Sequence, residues 1–187
     1  MTTPFRASAW IALFMLASAF EAHAEDATLW QIDPENSRLE FLLAVSGTQT
    51  AGRFTRWTAE IAFDPDAPRT GSVAVTVDMT SADIDLTQAQ ALLATPEWLA
   101  SAAYPEAEFR SEAIAWQNGN LRIEGMLTLR RVSRRLVMEG ALAIAEGAAV
   151  ADVSTELVRA DYGLLASQEA VSARVMVRAH VEAALIR

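Results

Sequence analysis

Apolar and polar residues alternate along most of the chain, a pattern that predicts β-strands with one buried and one solvent-facing side. The final segment shows the alternation most clearly, because one phase is apolar throughout: Val171, Ala173, Val175, Val177, Ala179 and Val181. The same alternation occurs in segments that begin at Arg38, Val73, Leu121 and Leu136. Turn signals separate the segments, at Asp33-Pro34, Asp64-Pro65, Asn118-Gly119-Asn120 and Glu146-Gly147. The pattern therefore predicts about eight antiparallel strands.

One segment breaks the two-residue period and predicts a short helix. Residues Leu86–Thr95 are rich in Ala, Leu and Gln, and the segment stops before Pro96. Asp85 precedes Gln88 by three residues, which is the arrangement of a capping box at the start of a helix. A second helical turn is expected around Trp98–Ala102.

Antiparallel strands with one apolar face form either a sandwich or a closed barrel. Closure removes the exposed strand edges, and an eight-stranded barrel can be packed solid or enclose one small ligand. Four small residues fall at interior positions of the predicted strands: Gly125, Gly140, Ala173 and Ala179. Such residues either leave room along the barrel axis or mark tight bends in a packed barrel, and the sequence leaves both alternatives open.

Residues 1–24 differ from the rest of the chain and predict a signal peptide. They contain Arg6 near the start, an apolar run from Trp10 to Phe20, and then Ala22-His23-Ala24. The apolar run is shorter than the ~20 residues that a membrane-spanning helix needs, so cleavage after Ala24 is expected rather than a permanent anchor. Residues 25–187 are then expected to form one domain in the periplasm.

Composition narrows the chemistry that this domain can perform. The chain has no cysteine, and the one histidine that remains after cleavage, His180, is expected to be structural, so no catalytic and no metal-binding residues are predicted. A net charge of −9 disfavours nucleic acid or an anionic membrane as a general partner. One basic cluster stands out, consisting of Arg130, Arg131, Arg134 and Arg135. These arginines either hold a phosphate or a membrane surface, or are solvated charges at the end of a hairpin.

Several short motifs follow one another in an order that resembles the YceI-like family of periplasmic lipid-binding proteins. The resemblance runs from about Trp30 to the C-terminal strand, and its motifs are Trp30-Gln31-Ile32-Asp33-Pro34, Gly52-Arg53-Phe54, Ile61-Ala62-Phe63-Asp64-Pro65, Trp98-Leu99, Tyr104-Pro105, Phe109-Arg110-Ser111, Gly125-Met126-Leu127-Thr128-Leu129 and Arg159-Ala160-Asp161-Tyr162-Gly163. Their order and spacing across the whole domain make the resemblance specific.

The resemblance implies a mainly β fold, a single antiparallel eight-stranded lipocalin-like barrel with one or two short helices. It also implies that the barrel encloses an isoprenoid lipid, either a polyprenol or an isoprenoid quinone, with no covalent cofactor. The residues expected to bind this lipid are Phe41, Phe54, Trp98, Leu99, Phe109, Leu127, Arg159 and Tyr162. Trp98 and Leu99 are expected to form a lid. Arg159 is expected either to hold the head group or to form a structural ion pair with Asp161.

The sequence departs from the family pattern at positions that bear on the ligand. Asn36-Ser37 stands where a His-Ser pair is usual, and Arg130 replaces a glycine. Similarity to the family branch found beside b-type membrane cytochromes implies an alternative function, that of an accessory protein to such a cytochrome or to a quinone redox system. Neither of these functions is enzymatic. A dimer is considered as the oligomeric state.

The leader gives a direct prediction about the exported protein. Because the apolar run ends in a small-residue cleavage site, we expect mature protein to begin at Glu25. N-terminal sequencing of exported material checks this expectation. Recovery of Met1 would contradict both the cleavage and the periplasmic location.

Overall fold

The computed structural model describes residues 28–96, 98–165 and 169–186. The predicted signal peptide lies outside these described residues. The strands are β1 Leu29–Ile32, β2 Arg38–Val45, β3 Thr48–Phe54, β4 Trp57–Ala62, β5 Ser72–Asp78, β6 Ala82–Ile84, β7 Glu106–Gln117, β8 Asn120–Leu129, β9 Val132–Ala145, β10 Ala148–Val158 and β11 Arg174–Leu185, and the helix α1 is Thr87–Leu93. No helix in the described ranges is long and apolar enough to cross a membrane.

Eight of these strands form a closed antiparallel barrel, as the sequence predicts. They are hydrogen-bonded in the order β1-β4-β5-β7-β8-β9-β10-β11, and β11 pairs back onto β1 through Trp30 and Leu185. The other half of β11 pairs with β2, so that β2, β3 and β6 extend the wall beyond β1. The barrel therefore has a simple end near Leu185 and an extended end where β11 begins.

Tight two-residue turns join several strands. Non-glycine residues in the left-handed region are followed by glycine at Ser46-Gly47, Asn118-Gly119 and Glu146-Gly147. Two consecutive left-handed residues make the turn whose twist matches a β-hairpin, so these pairs fix the connections β2–β3, β7–β8 and β9–β10. The β8–β9 turn differs, because Arg130 and Arg131 adopt φ values of 52° and 64° without any glycine.

The interior glycines lie where strands approach one another closely. A Cβ on Gly140 would stand 1.9 Å from the Asp152 carbonyl oxygen, and one on Gly125 would stand 2.2 Å from that of Arg110. A bulge in β7 between Ser111 and Ala113 faces Gly125 and bends the sheet there. Of the two alternatives for these glycines, the structure shows tight bends and not free space.

The two predicted interior alanines have different environments. Ala179 lines the barrel interior, but Ala173 is exposed and precedes β11. The interior placement of Ala173 was therefore wrong. The Ala173 carbonyl accepts a hydrogen bond from the Arg159 amide, so a backbone contact joins the segment before β11 to the end of β10.

The predicted helix is present, but its predicted cap is not. α1 begins after Leu86, and no side-chain hydrogen bond caps it. The Asp85 amide still donates to Ala51, so Asp85 is held by the sheet edge. Gln90 fixes the helix to β6 instead, since its side chain bonds the Ile84 amide and the Ala82 carbonyl.

The described residues between α1 and β7 form turns, so the expected second helical turn is absent there. The Trp98 and Ala100 amides both donate to the Thr95 carbonyl, and the Tyr104 amide donates to Ala100. Ala100 has a φ of 52°, which interrupts a right-handed helix. The segment nevertheless places Trp98 and Leu99 against the barrel.

The close approach at Gly140 predicts a large effect for a small substitution. We expect Gly140→Ala to lower the free energy of unfolding by about 1–3 kcal/mol, because its methyl group would overlap the backbone of β10. Denaturant unfolding measures the change. The control is Ala141→Val at the neighbouring exposed position, for which a change within about 0.5 kcal/mol is expected. Equal stability of the two variants would contradict the close packing.

Candidate functional site

The inward phase of the barrel strands surrounds an apolar cavity of about 230 Å³. All of its lining side chains in the described residues are apolar except Thr155. Phe109 of β7 and Leu127 of β8 face each other in register along its wall. Each strand therefore alternates as the sequence predicts, yet the inward side chains do not fill the barrel.

Aromatic side chains line this cavity toward the end near Leu185. Trp30 is buried, and its indole N–H donates to the Phe63 carbonyl oxygen over 2.8 Å. Trp116 packs edge-on against Phe63 and donates to the Leu142 carbonyl over 3.2 Å. Because its indole N–H is bonded to a carbonyl, Trp30 presents only apolar surface to the cavity, while Trp116 supports Phe63 without lining the cavity itself.

A second cavity of about 100 Å³ lies at the extended end of the barrel. Its walls come from β2, α1, the turn at Trp98 and Leu99, and the segment that follows β10. The two cavities adjoin, because five side chains line both: Phe54, Met79, Leu129, Leu157 and Val177. Together they form an apolar interior along the barrel axis.

Arg159 brings a guanidinium group to the second cavity. It continues the inward phase of β10 beyond Leu157, and only 5% of the residue is exposed. Its Nη1 lies 3.4 Å from the carbonyl oxygens of Val171 and Ser172, and the guanidinium lies 5.7 Å from the Trp98 ring centre. Burial lowers the pKa of Arg159, because the charged form loses hydration.

Tyr162 also lines the second cavity and is 3% exposed. Burial raises the pKa of its phenol, the Asp161 carboxylate raises it further, and Arg134 partly opposes the shift. The hydroxyl therefore stays protonated at neutral pH and is available as a hydrogen-bond donor.

Arg130 holds the segments that cover this cavity, a role that sequence reasoning missed. Its guanidinium donates to the carbonyl oxygens of Pro96, Trp98 and Gly163 at 3.2, 3.1 and 2.9 Å. It also lies 5.7 Å from the Tyr104 ring centre. The replacement of a usual hairpin glycine by arginine was the available signal, but which carbonyls it reaches depends on the tertiary structure.

All eight residues predicted to bind the lipid line one or both cavities: Phe41, Phe54, Trp98, Leu99, Phe109, Leu127, Arg159 and Tyr162. Their role in binding stays a prediction, since a position on the wall is not binding. The proposed ion pair with Asp161 is not present among the described contacts. Asp161 is exposed, whereas Arg159 is buried and directed inward.

Two other sequence candidates lie outside the cavities. His180 lies on the outer phase of β11, where its Nδ1 is 2.7 Å from an Asp152 oxygen and its Nε2 is 3.5 Å from Glu182. Asn36 is exposed and donates to Asp33 over 2.9 Å in a turn beside β1. Asn36, at the position where the family resemblance implies a histidine, therefore stabilises a turn and does not line the cavities. In the described residues, no cluster of His, Asp or Glu could hold a metal ion.

The fold and the site define a class, that of hollow antiparallel barrels with an apolar interior. Barrels of this size can hold one small ligand. Residues 30–183 match the model of the YceI-like domain. The chain therefore belongs to the YceI-like domain family.

Relatives of this chain agree with that assignment. It is 32% identical over 91 residues to Protein YceI of Escherichia coli O6:H1, a region covering 49% of this chain and 48% of that protein. The alignment thus spans about half the length of that relative. A UPF0312 protein of Shewanella oneidensis is 29% identical over 135 residues, which is 70% of each chain.

Solved structures share the fold. The crystal structure of Burkholderia cenocepacia BcnA has a TM-score of 0.76 at 22% identity and covers 81% of this chain and 99% of that chain. A polyisoprenoid binding domain from Saccharophagus degradans, implicated in plant cell wall breakdown, has a TM-score of 0.64 at 14% identity, with 85% and 99% covered. At these identities the similarity shows the fold alone.

The contacts of Arg159 predict a contribution to stability. We expect Arg159→Met to lower the free energy of unfolding by about 1–3 kcal/mol, because the Val171 and Ser172 carbonyls lose a buried donor while an unbranched apolar side chain replaces the aliphatic stem. Thermal or denaturant unfolding measures the change. The control is Arg174→Met, which removes an exposed ion pair with Glu156 and should alter stability by no more than about 1 kcal/mol. An unchanged stability of Arg159→Met would show that these bonds contribute nothing to folding.

Proposed function

We propose that the protein is a periplasmic, non-enzymatic carrier that sequesters an isoprenoid lipid, a polyprenol or an isoprenoid quinone, inside its barrel. The observation that carries this proposal is the chemistry of the two adjoining cavities. Their described lining is apolar except for Thr155, the Tyr162 hydroxyl and Arg159, and Arg159 is the one charged side chain in it. A long apolar molecule with one polar end matches that distribution.

The first cavity suits an isoprenoid tail. Its walls offer apolar contact and almost no hydrogen-bonding groups, so a polar ligand would lose its hydration without compensation. A branched hydrocarbon gains about 25 cal/mol for each Å² of apolar surface removed from water. Met79 lies where the cavities adjoin, and its flexible side chain can adapt to a chain that passes from one to the other.

The second cavity suits the polar end of the same molecule. The Arg159 guanidinium carries a positive charge that attracts a phosphate or a quinone oxygen, and the protonated Tyr162 hydroxyl offers a further donor. The polyisoprenoid binding domain from Saccharophagus degradans, which shares this fold, supports the same ligand class.

The remaining parts of the proposal rest on the sequence. The leader ending at Ala24 supports export to the periplasm. A non-enzymatic role is supported by the cavity lining, which in the described residues includes no carboxylate, histidine or cysteine to act as base or nucleophile. Association with a membrane cytochrome, and a dimer, stay predictions.

Native mass spectrometry of protein extracted from the periplasm without added ligand tests the proposal. We expect a bound species whose mass and fragments identify an isoprenoid lipid. We further expect Leu127→Trp to fold with nearly normal stability but to carry little lipid, because the indole takes up volume inside the first cavity.

The matched control is Met126→Trp, which introduces the same side chain at the preceding residue of β8. Met126 lines neither cavity. This variant should retain the lipid. A ligand-free wild-type protein, or an unaltered lipid content in Leu127→Trp, would contradict the proposal. A loss of stability in Leu127→Trp of about 1–3 kcal/mol would indicate a packed and not a hollow barrel.

A further inference from the structure

We propose that the extended end of the barrel docks on the surface of a bilayer rich in anionic lipid. The docking surface, called the rim below, consists of the exposed side chains of Leu92, Leu165, Arg131 and Arg134. The inference rests on the proposed function, because a lipid carrier must contact the membrane that holds its lipid.

Two pairs of adjacent leucines connect the rim to the second cavity. Leu93 lines the cavity while Leu92 is 43% exposed, and Leu164 lines it while Leu165 is 56% exposed. Each pair therefore presents one apolar side chain to the interior and one to solvent. An exposed leucine gains by entering the hydrocarbon boundary of a bilayer, as apolar residues do in interfacial segments.

The two exposed leucines lie at the same end of the molecule. Arg130 joins their segments, because its guanidinium bonds the carbonyls of Pro96 and Gly163. The Leu92 carbonyl accepts from Thr95, the residue before Pro96, and Leu165 is two residues after Gly163. The leucines thus belong to two segments that Arg130 joins to the tip of the β8–β9 hairpin.

The hairpin supplies positive charge to this end. Arg131 is exposed and lies 5.5 Å from the Tyr104 ring centre, and the exposed Arg134 is close enough to Tyr162 to act on its pKa. Unlike Arg135, which pairs with Glu112, neither has an ion-pair partner among the described residues. Each arginine close to an anionic membrane strengthens binding by about fivefold.

The charge of the whole protein orients this contact. The chain carries a net charge of −9, so an anionic surface repels most of the molecule. The rim combines arginines with exposed leucines, and an anionic bilayer offers both a negative surface and an apolar layer below it. Asp161 is the described acidic residue beside Tyr162 at this end, and its charge opposes the attraction.

Sedimentation with vesicles tests the proposal on purified mature protein. We expect binding to vesicles of phosphatidylglycerol mixed equally with phosphatidylcholine, weaker binding to phosphatidylcholine alone, and a decrease as salt is raised. Arg131→Gln with Arg134→Gln should weaken binding about 25-fold. Leu92→Gln with Leu165→Gln should weaken it about tenfold. Asp161→Asn should strengthen it.

The opposite end of the barrel offers a matched control. Leu29 and Ile186 are 51% and 52% exposed and are joined by a backbone hydrogen bond at the simple end. Leu29→Gln with Ile186→Gln should leave vesicle binding unchanged. The proposal would be overturned if the double substitution at Leu29 and Ile186 weakened vesicle binding as much as the one at Leu92 and Leu165. An absence of binding to anionic vesicles would also overturn it. Binding to a protein partner that the rim variants abolish, without binding to vesicles, would also overturn it.

The lipid content of each preparation separates this inference from the proposed function. If the protein contains isoprenoid lipid but does not bind vesicles, docking is refuted and the proposed carrier function is still supported. If the protein binds vesicles but never contains isoprenoid lipid, docking through the rim is supported and the carrier function is refuted.

Discussion

The closed sheet depends on the pairing of β11 along both of its edges. One edge pairs with β10 over the full length from Val158 to Ala148. The other edge pairs with β1 near Leu185 and with β2 between Met176 and His180. Since a single strand satisfies two partners on one edge, the barrel closes at one end and widens into a separate wall at the other. Both cavities, and the difference between them, follow from this arrangement.

The widened end concentrates the polar features of an otherwise apolar interior. Apart from Thr155, the inward phase of β10 is apolar up to Leu157, and it then places Arg159 at the second cavity. Buried charges are costly unless they are bonded, and the carbonyls of Val171 and Ser172 supply part of that compensation. The two ends of the barrel interior therefore differ, with aromatic rings near Trp30 at one end and a charged group at the other.

Much of the fold and of the cavity wall could be predicted from the sequence. Strict alternation in segments such as β8 and β11 is a local property, because neighbouring side chains on a strand point to opposite faces whatever the strand pairs with. The turns at Asn118-Gly119 and Glu146-Gly147 are local too, since they need left-handed backbone. Leu127 therefore faces inward in the phase that the alternation predicts, and it lies opposite Phe109.

Other features were decided by contacts between distant segments. The bends at Gly125 and Gly140 depend on how closely β7 and β10 approach, and the cap predicted at Asp85 is absent because α1 begins only after Leu86. The Arg130 side chain bonds carbonyls that lie 32 to 34 residues away along the chain. Local alternation predicts which side chains within a strand share a face, because strand periodicity requires no partner, and it was wrong for Ala173, which precedes β11. Whether those side chains fill the barrel or leave it hollow was decided by strand closure, because the enclosed volume depends on how all the strands pack together.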